Sequence, residues 1–105
     1  MSTFQDREKE FEARFKHDEE LRFKVTARRN RLVGLWAAER MGLTGEAAEA
    51  YAKSIVDAEF AGGDPHVVEK LVADLAAKGH TVTAAQMQFE LDHFATRAKQ
   101  QVMSE

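Results

Sequence analysis

Histidine is the first residue type to test for chemistry, because a neutral imidazole serves as a general base or a metal ligand. The chain has four, His17, His66, His80 and His93. No two lie three or four residues apart, the spacing that pairs ligands on one helix face. Asp92 precedes His93, but adjacent helical residues point about 100° apart and do not face each other. Ser2, Ser54 and Ser104 are the only serines and cysteine is absent, so nucleophiles are scarce and thiolate metal sites and disulfides are excluded. No catalytic residue and no metal site are expected.

Phosphate chemistry is the next candidate. Neither GxxxxGK[ST] nor GxGxxG occurs, the patterns whose backbone N–H groups cradle phosphates. Gly62-Gly63-Asp64-Pro65 has the composition of a ligand loop, yet a helix breaker followed by an N-cap accounts for all four residues. The remaining candidate is a cluster of cations, Arg22, Lys24, Arg28, Arg29 and Arg31, with Asn30 among them. Such a cluster can hold the phosphate of a nucleic acid or, weakly, of a free nucleotide. It can equally pair with acids on neighbouring helices, and its members spread round a helix instead of lining one face. Arg22, Lys24, Arg28 and Arg29 are thus candidates for an anion site, and no cofactor is otherwise expected.

Elements that could position these residues follow from composition and periodicity. The 105 residues are 44% hydrophobic and 31% charged with a net charge of −3, a globular balance with room for one modest core. The N-terminus lacks the apolar stretch of a signal peptide, and no apolar run approaches the ~20 residues of a membrane helix. The expected location is therefore cytoplasmic. Charge is uneven: residues 6–20 hold seven acids and four bases, residues 22–40 six bases and one acid, and residues 46–105 ten acids and five bases. A basic waist between acidic ends does not suit a nucleic-acid binder.

Glycines and the single proline cut the chain into helical segments. Asp64 and Pro65 can open one of them, with Val67, Val68, Leu71, Val72 and Leu75 as its apolar stripe. Thr83 and Gln86 have capping-box spacing, with Val82 and Met87 as a hydrophobic staple, ahead of Leu91, Phe94, Ala98 and Val102. A third segment begins near Thr44, carries Tyr51, Ala52, Ile55, Val56 and Phe60, and ends at Gly62-Gly63. Nothing breaks the chain between Phe4 and Met41. At about 100° per residue, Phe4, Phe11, Phe15, Leu21, Val25, Leu32, Val33, Leu35 and Trp36 fall within about 160° of arc. Trp36 is expected to anchor the core.

The expectation is an all-α fold: a four-helix bundle-like domain with a long first helix and an N-terminal amphipathic, partly disordered extension. Residues 20–105 form the domain and residues 1–19 the extension. Acid-before-base pairs at Glu10–Arg14, Glu12–Lys16, Asp18–Arg22 and Glu20–Lys24 each favour helix by about 0.2–0.5 kcal/mol, too little to hold a short helix alone in water. Phe4, Phe11 and Phe15 either complete that helix in a partner's groove or fold back onto the bundle.

The stretch Phe4-Gln5-Asp6-Arg7-Glu8-Lys9-Glu10-Phe11-Glu12-Ala13-Arg14-Phe15 resembles the start of the zeta subunit of alphaproteobacterial F-type ATP synthases. Its continuations do too: His17-Asp18-Glu19-Glu20-Leu21-Arg22-Phe23-Lys24, then Ala27-Arg28-Arg29-Asn30 through Leu35-Trp36-Ala37-Ala38-Glu39. The resemblance implies a four-helix, non-enzymatic protein whose N-terminal segment inhibits ATP hydrolysis. It further implies that residues 1–19 wedge between the alpha and beta subunits near the gamma stalk. In that reading Phe4, Phe11 and Phe15 are the apolar anchors and Asp6, Arg7, Glu10 and Arg14 the polar contacts. The protein would be a monomer when free and peripheral to the inner membrane when bound.

Overall fold

A computed structural model describes residues 3–105, so Met1 and Ser2 of the expected extension lie outside the described residues. The fold is all-α, with helices α1 (Phe4–His17), α2 (Glu19–Arg40), α3 (Gly45–Ala77) and α4 (Ala84–Met103), and no strand among the described residues. Two of the helix starts are capping boxes. Thr3 Oγ1 accepts from the Asp6 N–H at 3.1 Å, and the Thr3 N–H donates to Asp6 Oδ2 at 3.3 Å. At the expected Thr83–Gln86 box the two bonds are 3.0 and 2.9 Å. Each satisfies donors that helical geometry leaves without a partner.

The run from Phe4 to Met41 is not one helix. It breaks at Asp18, whose backbone is extended (φ −109°, ψ 102°) and whose Oδ1 accepts from the Leu21 N–H at 3.0 Å. Aspartate is among the best N-cap residues, so the second helix can start here without glycine or proline. The break also has a packing reason: it lets α1 turn back so that Phe11 is buried among Val25, Ala98 and Val102.

Helix α3 is two limbs joined at Gly63, the one position inside it with non-helical backbone (φ 71°, ψ −162°), a conformation confined to glycine. Tyr51 Oη donates to Asp74 Oδ2 at 2.8 Å. A straight helix would set residues 23 positions apart at about 35 Å, so the chain doubles back at the kink. The segments expected on either side of Gly62-Gly63 are these limbs. Asp64, however, does not spend its carboxylate on capping the second limb; Arg29 holds it, at 2.7 and 3.2 Å.

The main core joins Val33 and Ala37 of α2, Ile55, Val67, Leu71 and Leu75 of α3, and Met87, Leu91 and Phe94 of α4. The expected stripes of the second α3 limb and of α4 therefore face inward. Trp36 packs against this core but is only half-buried, its ring 6.1 Å from that of Phe94. Contact between α2 and the first limb of α3 is close at Gly34. A Cβ added there would lie 2.7 Å from the Ala52 Cα, which a backbone atom cannot yield cheaply. Overpacking costs about 1–3 kcal/mol, against roughly 1 kcal/mol of helix propensity gained by replacing glycine. Gly34→Ala should therefore lower unfolding stability by about 1 kcal/mol, measured by urea denaturation; unchanged or increased stability would show that the helices can move apart.

Candidate functional site: the first helix and the basic cluster

Helix α1 lies against α2 and α4 and presents the seven residues singled out in its sequence very unequally. Phe11 is 6% exposed and joins Val25, Ala98 and Val102 in a small cluster that Phe15, half-buried, flanks. The fold-back arrangement therefore describes Phe11. Phe4, by contrast, is 56% exposed. Asp6 closes the capping box, while Arg7, Glu10 and Arg14 stand in solvent. Arg7, Glu10 and Arg14 border a cleft of about 390 Å³ between α1, α2 and α4, with Lys24 and Glu105 on its other side. The remaining tie is Lys99 of α4, whose Nζ is 3.4 Å from Glu12 Oε1 and 4.4 Å from the centre of the Phe15 ring.

Every cation of the basic cluster has an internal partner. Lys24 Nζ lies 2.8 Å from Glu105 Oε2, and Arg28 bonds the other Glu105 oxygen and, at 3.0 Å, Gln101 Oε1. Lys24 and then Arg28 hold the Glu105 carboxyl below its ordinary range. Arg31 takes both Glu49 oxygens at 3.0 Å, and Arg22 lies 4.0 Å from Glu19. An anion at Lys24 and Arg28 would have to displace Glu105, so the geometry favours internal pairing over anion capture.

Arg29 differs in being buried. Its guanidinium reaches Glu59 Oε1 at 2.8 Å and both Asp64 oxygens, and its Nε donates to Asn30 Oδ1 at 3.0 Å. Asn30, fully buried, donates in turn to Glu59 Oε1 at 2.8 Å. Burial raises the Glu59 carboxyl above its ordinary value, whereas the Arg29 bond lowers that of Asp64. This cluster clamps the α3 kink onto α2. The sequence offered pairing with acids on neighbouring helices for the basic cluster as a whole without singling out Arg29, although a signal was present: at 100° per residue Arg29 falls within the apolar arc, level with Phe11 and close to Trp36. An arginine there has to be buried and therefore paired.

The histidines are all exposed, and no group of acidic and histidine side chains able to hold a metal occurs among the described residues. Tyr51 is perturbed as well: burial, then its bond to Asp74, pushes the phenol well above its ordinary value. That makes it a structural strut, paired across the two limbs of α3.

A family model for the ATPase inhibitor subunit zeta matches residues 1–101. The chain belongs to that family. No curated protein matches it. As an ATPase inhibitor subunit the chain is a regulatory protein without catalysis of its own, and its partner is the ATP synthase. No helix among the described residues is long and apolar enough to cross a membrane.

Two predictions follow from the clamp that this family member carries. Arg29→Ala leaves Glu59 and Asp64 without their cation; because both acids are only partly buried, it should cost about 2–3 kcal/mol, below the range for fully buried pairs, and a loss below about 1 kcal/mol would mean that water replaces the guanidinium. The two acids have opposite pH signatures. Asp64, its proton affinity lowered by folding, stabilises above its ordinary 3.8 and loses that contribution as pH falls. Glu59, its affinity raised, contributes fully below 4.5 and loses this as pH rises through its folded value. Urea unfolding of Asp64→Asn should therefore show a shallower acid-side loss than the unaltered chain. Glu59→Gln should show a shallower decline on the rising side, and identical pH profiles for all three would contradict the assignment.

Proposed function

We propose that the chain inhibits ATP hydrolysis by inserting residues 1–19 as a helix at the catalytic interface between the alpha and beta subunits, near the gamma stalk. Residues 20–105 act as the globular anchor. A rotary enzyme stops when a rigid element occupies a site that has to open and close on each turn. Phe4, Phe11 and Phe15 supply apolar contacts to that site, and Asp6, Arg7, Glu10 and Arg14 the polar ones. The free chain is a monomer in the cytoplasm, and it becomes peripheral to the inner membrane on joining the ATP synthase.

The observation that carries this reading is the shallow seating of α1. One buried phenylalanine is worth at most about 3 kcal/mol. The exposed Lys99–Glu12 pair adds about 0–1 kcal/mol, and Lys99 over Phe15 about 0.5–1 kcal/mol. Release of the helix is thus affordable to a partner that offers Phe11 a deeper site. If the seat is worth about 3 kcal/mol, it lowers apparent affinity for the enzyme by roughly a hundredfold. That reserve keeps inhibition reversible.

The test is ATP hydrolysis by the purified cognate F-type ATPase with the full chain, with the chain lacking residues 1–19, and with Phe4→Ala. Phe4 is exposed, so its truncation leaves the bundle intact. The full chain should inhibit, the truncated one should not, and Phe4→Ala should inhibit with several-fold lower apparent affinity, about 1 kcal/mol or more. Equal inhibition by the full and truncated chains would place the inhibitory surface on the bundle.

A further inference from the structure

Away from α1, the end of α2 meets the start of α4 around an open cavity of about 360 Å³. Trp36, Val82, Met87 and Phe89 give it apolar walls, and Arg40 and Glu90 are the charged residues among its lining. Phe89 is 71% exposed, an aromatic side chain left in water beside a concavity. Arg40 lies over the Trp36 ring, its guanidinium carbon 4.2 Å from the ring centre. It makes no ion pair among the described residues, whereas Arg22, Lys24, Arg28, Arg29 and Arg31 of the same helix all do. A guanidinium stacked on an indole keeps its N–H edge free for a carboxylate. Tryptophan, phenylalanine, methionine and arginine around a small concavity are the residues that dominate protein-binding surfaces.

We propose that this cavity is a second docking point for the ATP synthase, receiving an apolar side chain of the partner flanked by a carboxylate that pairs with Arg40. The proposal rests on the reading that the chain acts on that enzyme. Charge selects the occupant: the free Arg40, from α2, attracts one acid, and Glu90, lining the same cavity from α4, repels a second. The volume lies at the low end of cavities that hold a ligand, which suits one bulky side chain rather than a whole helix. The chain's own α1 is not the occupant, because it is seated on Ala98 and Val102. Fifteen residues of α4 separate Val102 from Met87, about 22 Å along the helix. Two contacts that far apart make the second binding event intramolecular once the first has formed. The bundle end then stays on the enzyme while the N-terminal helix comes and goes.

The test is titration of the fluorescently labelled full chain with the purified catalytic sector, using Arg40→Glu, Arg40→Gln and Phe89→Ser. Phe60→Ser, at another exposed position (67%), is the control. Arg40→Glu should weaken binding by about tenfold or more, Arg40→Gln and Phe89→Ser by less, and Phe60→Ser not at all. Inhibition at saturation should be unchanged in all of them, because the N-terminal helix remains. Binding of Arg40→Glu as tight as that of the unaltered chain would overturn the proposal. If Phe4→Ala alone weakened binding, the inhibitory-helix reading would stand without it. Absence of binding by the unaltered chain would overturn both. Loss of self-association in Arg40→Glu, seen by sedimentation of the chain alone, would make a second copy the occupant and also overturn it.

Discussion

A single buried guanidinium organises this small protein. Arg29 sits on the apolar face of α2, where no charge survives alone, and its two acids come from either side of the bend in α3. Glu59 belongs to the limb before Gly63 and Asp64 to the limb after it, so one side chain of α2 holds both limbs at the point where they diverge. Asn30 completes the arrangement by giving Glu59 a second donor. No buried side-chain nitrogen or oxygen among the described residues is left without a partner, which is the condition under which a buried polar cluster specifies structure instead of weakening it. The apolar core of α2, α3 and α4 then closes around a bend that is already fixed in direction.

Seating of α1 has the opposite character. It adds one buried phenylalanine, the half-buried Phe15, one partly exposed ion pair and a cation over a ring, and leaves most of its own surface in water. The two ends of the molecule thus differ in how firmly they are held: the α3 bend is clamped by buried charge, and the N-terminal helix rests on a shallow apolar seat. The proposed insertion of the N-terminal helix needs both properties, because a part handed to the enzyme would have to leave a remainder that does not unfold. Stability is concentrated in the bundle and withheld from α1, and the low-stability end of a fold is where functional motion is found.

Much of this was legible in the residues. Capping chemistry at Thr83–Gln86, the inward stripe of α4 and the segments around Gly62-Gly63 follow from spacing and propensity alone. What escaped were decisions made by tertiary contacts. Asp18 can either continue a helix or cap one, and burying Phe11 favours the cap. Asp64 likewise can serve a helix N-terminus or a guanidinium, and Arg29 outbids the backbone. The site was less legible than the fold, since whether Phe11 faces the bundle or a partner is a comparison between two environments, one of which is another protein. Trp36 packs against the core as its apolar neighbours indicated, but one part of it stays at the surface under Arg40.

The central claim is that α1 must leave the bundle to inhibit, and the absence of cysteine makes it directly testable. Cysteines placed at Glu12 and Lys99, which face each other across the α1–α4 contact, can be joined by a cleavable thiol cross-linker and the chain assayed against the purified ATPase. The account predicts that the tethered chain does not inhibit hydrolysis and that cleaving the linker restores inhibition. Full inhibition by the tethered chain would show that α1 acts from its seat on the bundle, and would contradict the account.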